Sequence, residues 1–139
     1  MGVINFWATW CEPCRDEMPS MQKLKEELAG RPFAILAVNY GESEPKVADF
    51  ARRLAVDFPL LLDPNQDAPR AWRVRVLPAS FLVDAEGRVR YRVIGEIDWK
   101  SSEATETIGR LMRGERSSNG AAREMALARL LPPSAALDR

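Results

Sequence analysis

The chain has 139 residues, with Lys plus Arg and Asp plus Glu each counting 20, two cysteines and no histidine. That length fits one compact domain with its own core, and the balanced charge gives no electrostatic reason for a nucleic acid or a membrane surface as partner. Without histidine, no Cys-His or Ser-His catalytic pair and no His-containing zinc or copper site can form within one chain, and no apolar run approaches the roughly eighteen residues needed to span a bilayer.

Val3-Ile4-Asn5-Phe6-Trp7 reads as a strand buried on both faces, the pattern of a central parallel strand flanked by helices. It leads through Ala8-Thr9-Trp10 into Cys11-Glu12-Pro13-Cys14, which holds both cysteines. From Glu12 the period changes: Met18, Met21, Leu24 and Leu28 recur at three- and four-residue steps, predicting an amphipathic helix that Gly30 stops and Pro19 kinks. Phe33 to Tyr40 is a second continuous apolar run, expected to lie parallel to the first through a right-handed crossover.

Ser43 or Glu44 before Pro45 starts a second helix whose apolar face is Val47, Phe50, Ala51 and Leu54. Phe58 to Leu62 is short and apolar, ends in the turn-like Asp63-Pro64-Asn65, and precedes a brief helix around Gln66 to Trp72. Pro78 directly precedes the apolar Ala79-Ser80-Phe81-Leu82-Val83. Asp84-Ala85-Glu86-Gly87 is a tight connection, and Arg88 to Val93 alternates polar and apolar, so the two strands form a hairpin whose second member has one solvated face. Asp98 or Ser101 caps a last helix with Ala104, Ile108, Leu111 and Met112 inward. Beyond Gly114 the composition turns to a linker, followed by a stretch with helical spacing of Met125, Ala128 and Leu130 or Leu131.

Two cysteines spaced three apart at the start of a helix admit three chemistries: a redox dithiol, a small structural disulfide, or half of a four-thiolate zinc site shared between two chains. Arg15 follows Cys14, which excludes a Cys-x-x-Cys-His haem attachment. A cysteine at a helix N-terminus faces unpaired N–H groups and the positive end of the helix dipole, which lowers a thiol pKa from about 8.5 toward ~3.5–7.5. Cys11 has that place, so it is the expected attacking thiol, and Cys14, one turn on, the resolving one. Pro13 preorganises the first turn, while Glu12 and Arg15 flank Cys11 with opposite signs. Glu17 shares the helix face of Cys14 and is expected to exchange that thiol's proton, unless it is an exposed helix glutamate. Trp7 and Trp72 read as packing residues.

Asn5 to Pro19, together with Ala37-Val38-Asn39, Val76 to Asp84 and Gly87-Arg88-Val89, resembles the TlpA/ResA/CcmG family of bacterial thiol-disulfide oxidoreductases from about Val3 to Arg113. The resemblance implies an α/β, thioredoxin-like fold with a central mixed sheet flanked by helices, the family's N-terminal strands being absent. It divides the chain into a domain over 1–113 and an extension over 114–139 made of a linker and a short helix. Catalysis then falls to Cys11 and Cys14 with Glu17 modulating the pair. Substrate is bound by Trp10 as an apolar lid, by the Leu77 backbone and by Pro78 as the fold's cis-proline, with Glu12 and Pro13 supporting the motif. The implied activity is reduction of disulfides in extracytoplasmic proteins, apocytochrome c among them, with no cofactor and no metal. Electrons would come from a membrane dithiol donor, to a monomer in the periplasm or another extracytoplasmic space, membrane-anchored in the full-length protein. A thiol peroxidase of related fold, or a non-catalytic adaptor or thiolate metal-binding module, is the alternative.

Overall fold

The structure, a computed structural model, describes residues 1–114 and 130–131. In chain order the elements are β1 (Gly2–Trp7), α1 (Glu12–Glu27), β2 (Ala34–Asn39), α2 (Glu44–Ala51), β3 (Leu60–Leu61), α3 (Asp67–Ala71), β4 (Ala79–Val83), β5 (Val89–Ile94), α4 (Ser102–Met112) and β6 (Leu130–Leu131). They build one mixed sheet of order β3-β2-β1-β4-β5-β6. β1 pairs in parallel with β2, Trp7 opposite Asn39, and antiparallel with β4, Asn5 opposite Ser80. β1, buried over most of its length, is therefore central, flanked on both edges, as a run without polar alternation requires.

Side chains alternate across β1. Val3 and Trp7 enter a core built with Met18, Met21 and Leu24 of α1 and Ile108 and Leu111 of α4. Phe6 enters a second cluster with Phe81 and Trp72, whose rings meet edge-on at centroid distances of 5.8 Å and 4.8 Å along the series Phe6–Phe81–Trp72. Trp7 stacks obliquely on Phe50 of α2 at 5.4 Å. Full burial of each such side chain contributes roughly 1.5–3 kcal/mol, so these rings dominate the packing. Trp7 and Trp72 are packing residues, as read from the sequence.

The local signals act as expected. Pro13 lies in the first turn of α1 and Pro19 inside the helix, Ser43 precedes α2, and the Ser101 hydroxyl caps α4 by accepting from Ala104 N at 3.2 Å. Gly87 turns the β4–β5 hairpin at φ +84°, a conformation costly for a side-chain-bearing residue. Arg90 and Arg92 alternate with buried Tyr91 and Val93 along β5. One expectation changes at the far end. Leu130–Leu131 form a strand, β6, antiparallel to β5 with Leu130 opposite Val93, in the stretch whose spacing had allowed a short helix. The outer edge of β5 carries unpaired backbone groups, and a short apolar strand satisfies them. The rest of the tail, 115–129 and 132–139, lies outside the described residues.

Candidate active site

The end of β1 and the start of α1 bring the cysteines together. Cys11 is the N-cap of α1, with extended backbone at φ −95° and ψ 104°, and its Sγ accepts from Cys14 N at 3.3 Å. Cys11 and Cys14 are joined as a disulfide with Cα atoms 5.2 Å apart. Both are buried, Cys11 to 5% and Cys14 to 2% of full exposure. Burial therefore hardly separates the two thiols; the cap position does. Only Cys11 sits where the free N–H groups of the first turn converge, and a thiolate there is stabilised by the helix dipole.

Trp10, directly before Cys11, is 62% exposed, an unusual state for an indole beside a buried sulfur. Glu12 and Arg15 are exposed, and Arg15 Nη1 donates to the Thr9 carbonyl at 3.3 Å. The peptide bond between Leu77 and Pro78 is cis. Leu77 packs at the border of both core clusters, and the adjacent Val76 is exposed.

Glu17 is not an exposed helix glutamate. It retains 1% of its exposure, one turn beyond Cys14 on the inner face of α1. Its Oε2 accepts from Trp99 Nε1 at 2.7 Å and from Ile97 N at 3.4 Å, and its Oε1 from Asn5 Nδ2 at 3.5 Å. Asn5 in turn donates to Ser80 Oγ at 2.8 Å across the β1–β4 pairing. Desolvation pushes the Glu17 carboxyl up from 4.5 to about 7, and the hydrogen bonds from Trp99, Ile97 and Asn5 restrain the rise. A carboxyl with that pKa holds or releases a proton at neutral pH. Ile97 also lines a polar cleft of about 670 Å³ with Pro19, Ser20, Lys23 and Lys100, which brings solvent close to the backbone that binds Glu17.

Several contributors were missed in the linear chain. Asn5 and Ser80 carry a signal, a polar residue inside an apolar strand, because burial of such a group requires a partner. Trp99 carries none: it is separated from Glu17 by 82 positions and meets it only after folding. Glu42 was likewise missed, although its carboxylate is buried against Thr9 and Asn39 beside the loop that enters the Cys-x-x-Cys. Among the described residues no group of three or more His, Cys, Asp or Glu side chains could hold a metal ion.

The chain resembles known proteins along most of this framework. The model of the AhpC/TSA family matches residues 1–92. The thiol-disulfide oxidoreductase ResA of Geobacillus kaustophilus (strain HTA426) is 40% identical over 92 residues, covering 66% of this chain and 53% of that protein. ResA of Bacillus subtilis (strain 168) is also 40% identical over 92 residues, with 66% and 51% covered. The chain thus spans about half the length of the ResA proteins it matches. Among solved structures, a Chlorobium tepidum protein described as the thiol:disulfide interchange protein DsbE superposes with a TM-score of 0.75 at 27% identity, over 80% of this chain and 79% of the other. With its thioredoxin-like topology and its Cys11–Cys14 pair, the chain is similar to the ResA and DsbE thiol-disulfide proteins, and it belongs to the AhpC/TSA family.

Proposed function

We propose that the chain is a thiol-disulfide oxidoreductase working in the reducing direction. The observation that carries this reading is the Cys11–Cys14 pair at the N-terminus of α1, one turn from a buried Glu17 with a pKa of about 7. In the reduced protein the Cys11 thiolate attacks one sulfur of a substrate disulfide. A bond forms between Cys11 Sγ and that sulfur as the substrate S–S bond breaks, and the other substrate sulfur leaves as a thiolate and takes up a proton. Ionised Glu17 then accepts the proton of Cys14, whose thiolate attacks Cys11 Sγ. The mixed disulfide breaks, the second substrate thiol is released, and the Cys11–Cys14 disulfide of this structure is left. Two electrons have passed to the substrate.

Exposed Trp10 and the Leu77–Pro78 segment form the surface offered to an extended substrate, Leu77 through its backbone. Pro13 stiffens the first turn, and Glu12 lies exposed beside Cys11. The substrate class is a disulfide-bearing extracytoplasmic protein, apocytochrome c before haem attachment being the candidate, and a membrane dithiol relay returns the electrons. We place the working protein in the periplasm or an equivalent compartment as a monomer, anchored to the membrane in its full-length form, with 1–113 as the catalytic domain and 114–139 as its extension. No helix among the described residues is long and apolar enough to cross a membrane, so an anchor would lie outside them.

Reduction of insulin and equilibration with glutathione test the reading. A potential near ~−270 mV fits a reductase, whereas one near ~−120 mV belongs to a dedicated oxidant and contradicts it. Peroxide consumption by a Cys14→Ser variant, with no disulfide reduction by the unaltered chain, would assign the site to a thiol peroxidase instead. Stoichiometric zinc in a chain that reduces nothing would assign it to a thiolate metal module.

A further inference from the structure

Glu42 lies just beyond β2, yet its carboxylate is committed to the loop in front of Cys11. Oε1 accepts from Thr9 N and from Asn39 Nδ2, each at 2.8 Å. Oε2 accepts from Thr9 Oγ1 at 2.6 Å and pairs with Lys46 Nζ at 3.3 Å. Asn39 fixes the other end of the same residue, since Glu42 N donates to Asn39 Oδ1 at 2.9 Å. Asn39 is the last residue of β2 and stands opposite Trp7, the last of β1. The carboxylate is therefore anchored to the end of the sheet and reaches across to the loop between β1 and α1.

Thr9 is held from every side. Its N–H and hydroxyl go to Glu42, and its carbonyl accepts from Arg15 Nη1 at 3.3 Å. The Cys11 amide closes the turn onto the Ala8 carbonyl at 3.2 Å. Only Trp10 separates Thr9 from Cys11, so the placement of Thr9 decides where α1 begins and which way Trp10 faces. A carboxylate suits this task because it is an acceptor only, and Thr9 N, the Thr9 hydroxyl, Asn39 Nδ2 and the Lys46 ammonium all converge on it. Its burial costs desolvation that a site serving the fold alone could avoid with apolar residues.

We propose that Glu42 is a positioning residue for the dithiol: by holding Thr9 it sets the place of Cys11 at the N-terminus of α1 and of Trp10 beside it, and hence the reactivity of Cys11. The proposal rests on the reading of Cys11 as the attacking thiol. Thiolate stabilisation by a helix end falls off within the first turn, so a displacement of the cap by a fraction of its length changes the thiol directly.

The test uses the full chain in a Cys14→Ser background, where one thiol is read, and compares Glu42→Ala, Glu42→Gln and a core variant of α4, Leu111→Ala. Alkylation of Cys11 by iodoacetamide is followed against pH, beside the thermal midpoint and the rate of reduction of a model disulfide by the corresponding two-cysteine proteins. Glu42→Ala should raise the Cys11 thiol pKa and slow alkylation at neutral pH by about tenfold, the scale of a small misplacement in a preorganised site. Glu42→Gln keeps an acceptor for Thr9 N and a donor for the Thr9 hydroxyl, and should stay within about threefold of the parent. Leu111→Ala should lower the midpoint and leave the alkylation profile in place.

An unchanged profile in Glu42→Ala overturns the proposal, as does an equal shift in Leu111→Ala. So does a common downward shift of the thiol pKa in both Glu42 variants, which would mark a charge effect in place of positioning. If the unaltered protein reduces no disulfide while the Glu42→Ala shift persists, positioning stands and the proposed reductase function falls.

Discussion

Trp99 Nε1 donates to Glu17 Oε2 at 2.7 Å, joining the segment before α4 to the inner face of α1 one turn from Cys14. The indole is itself 99% withdrawn from solvent, so the carboxylate's shortest contact is with a group that water cannot replace. A buried acid held by a neutral donor keeps a pKa that burial has raised and that the bond has pulled part of the way back. In the proposed mechanism, where Glu17 takes the Cys14 proton, this bond tunes the acid that receives it.

The first consequence concerns stability against pH. The folded protein holds the Glu17 proton up to about pH 7, whereas the unfolded chain releases it near 4.5, so the native state binds more protons between these values and stability falls as pH rises through that window. The loss amounts to roughly 3 kcal/mol once both states are ionised. Glu17→Gln mimics the protonated acid and should be more stable than the parent by about 2–3 kcal/mol at pH 8, with little difference at pH 4. Denaturant unfolding of the oxidised proteins at the two pH values measures it; a difference that does not depend on pH would show that the carboxyl ionises normally.

Removing the donor should act in the opposite sense on the proton. In Trp99→Phe the charged form of Glu17 loses its best partner, so the Glu17 pKa should climb above about 7 and the acid limb of the thiol-exchange rate, where Glu17 must be ionised, should move to higher pH with it. Stability at pH 8 should drop by roughly 1.5–3 kcal/mol for the lost charged hydrogen bond. A pH–rate profile that overlays the parent's would remove Glu17 from the proton path.

Asn5 bridges Ser80 Oγ and Glu17 across the pairing of β1 with β4. Asn5→Ala leaves buried Ser80 without that donor and should cost about 1–3 kcal/mol in chemical denaturation. Asn5→Ala combined with Ser80→Ala should recover part of the loss, because the Ser80 hydroxyl is then no longer left without its partner. Equal losses in the single and double variants would mean that packing, not hydrogen bonding, sets the cost.

The two thiols should behave unequally. Cys14→Ser leaves Cys11 able to attack but not to be released, so mixed disulfides with substrate proteins should accumulate on non-reducing gels, while Cys11→Ser should trap few. Mass spectrometry of the trapped partner identifies the substrate class. Equal trapping by both variants would contradict the assignment of Cys11 as the attacking thiol.

Much of this architecture is local in origin. The unbroken apolar run of β1, the three- and four-residue spacing in α1, Pro45 opening α2 and Gly87 in the hairpin act over a few residues, and each is readable because the forces behind it are short-ranged: backbone sterics, capping and the burial of one face. The same holds for the chemistry of Cys11, whose place at the cap of α1 follows from where the apolar period changes.

The sequence by itself therefore determined the order of elements from β1 to α4 and the Cys11–Cys14 pair at the start of α1, and its resemblance to a known family pointed to the thioredoxin-like class. It could not decide whether Glu17 meets water or a buried partner, since Trp99 and Ile97 arrive from the far end of the domain. Nor could it show that Glu42 closes on Thr9, or that the edge of β5 takes Leu130–Leu131 as a strand. Each of these is a contact between segments distant in the chain. Their energies come from desolvation and hydrogen-bond geometry that exist only once the sheet has brought the partners together, and tertiary structure alone decides them.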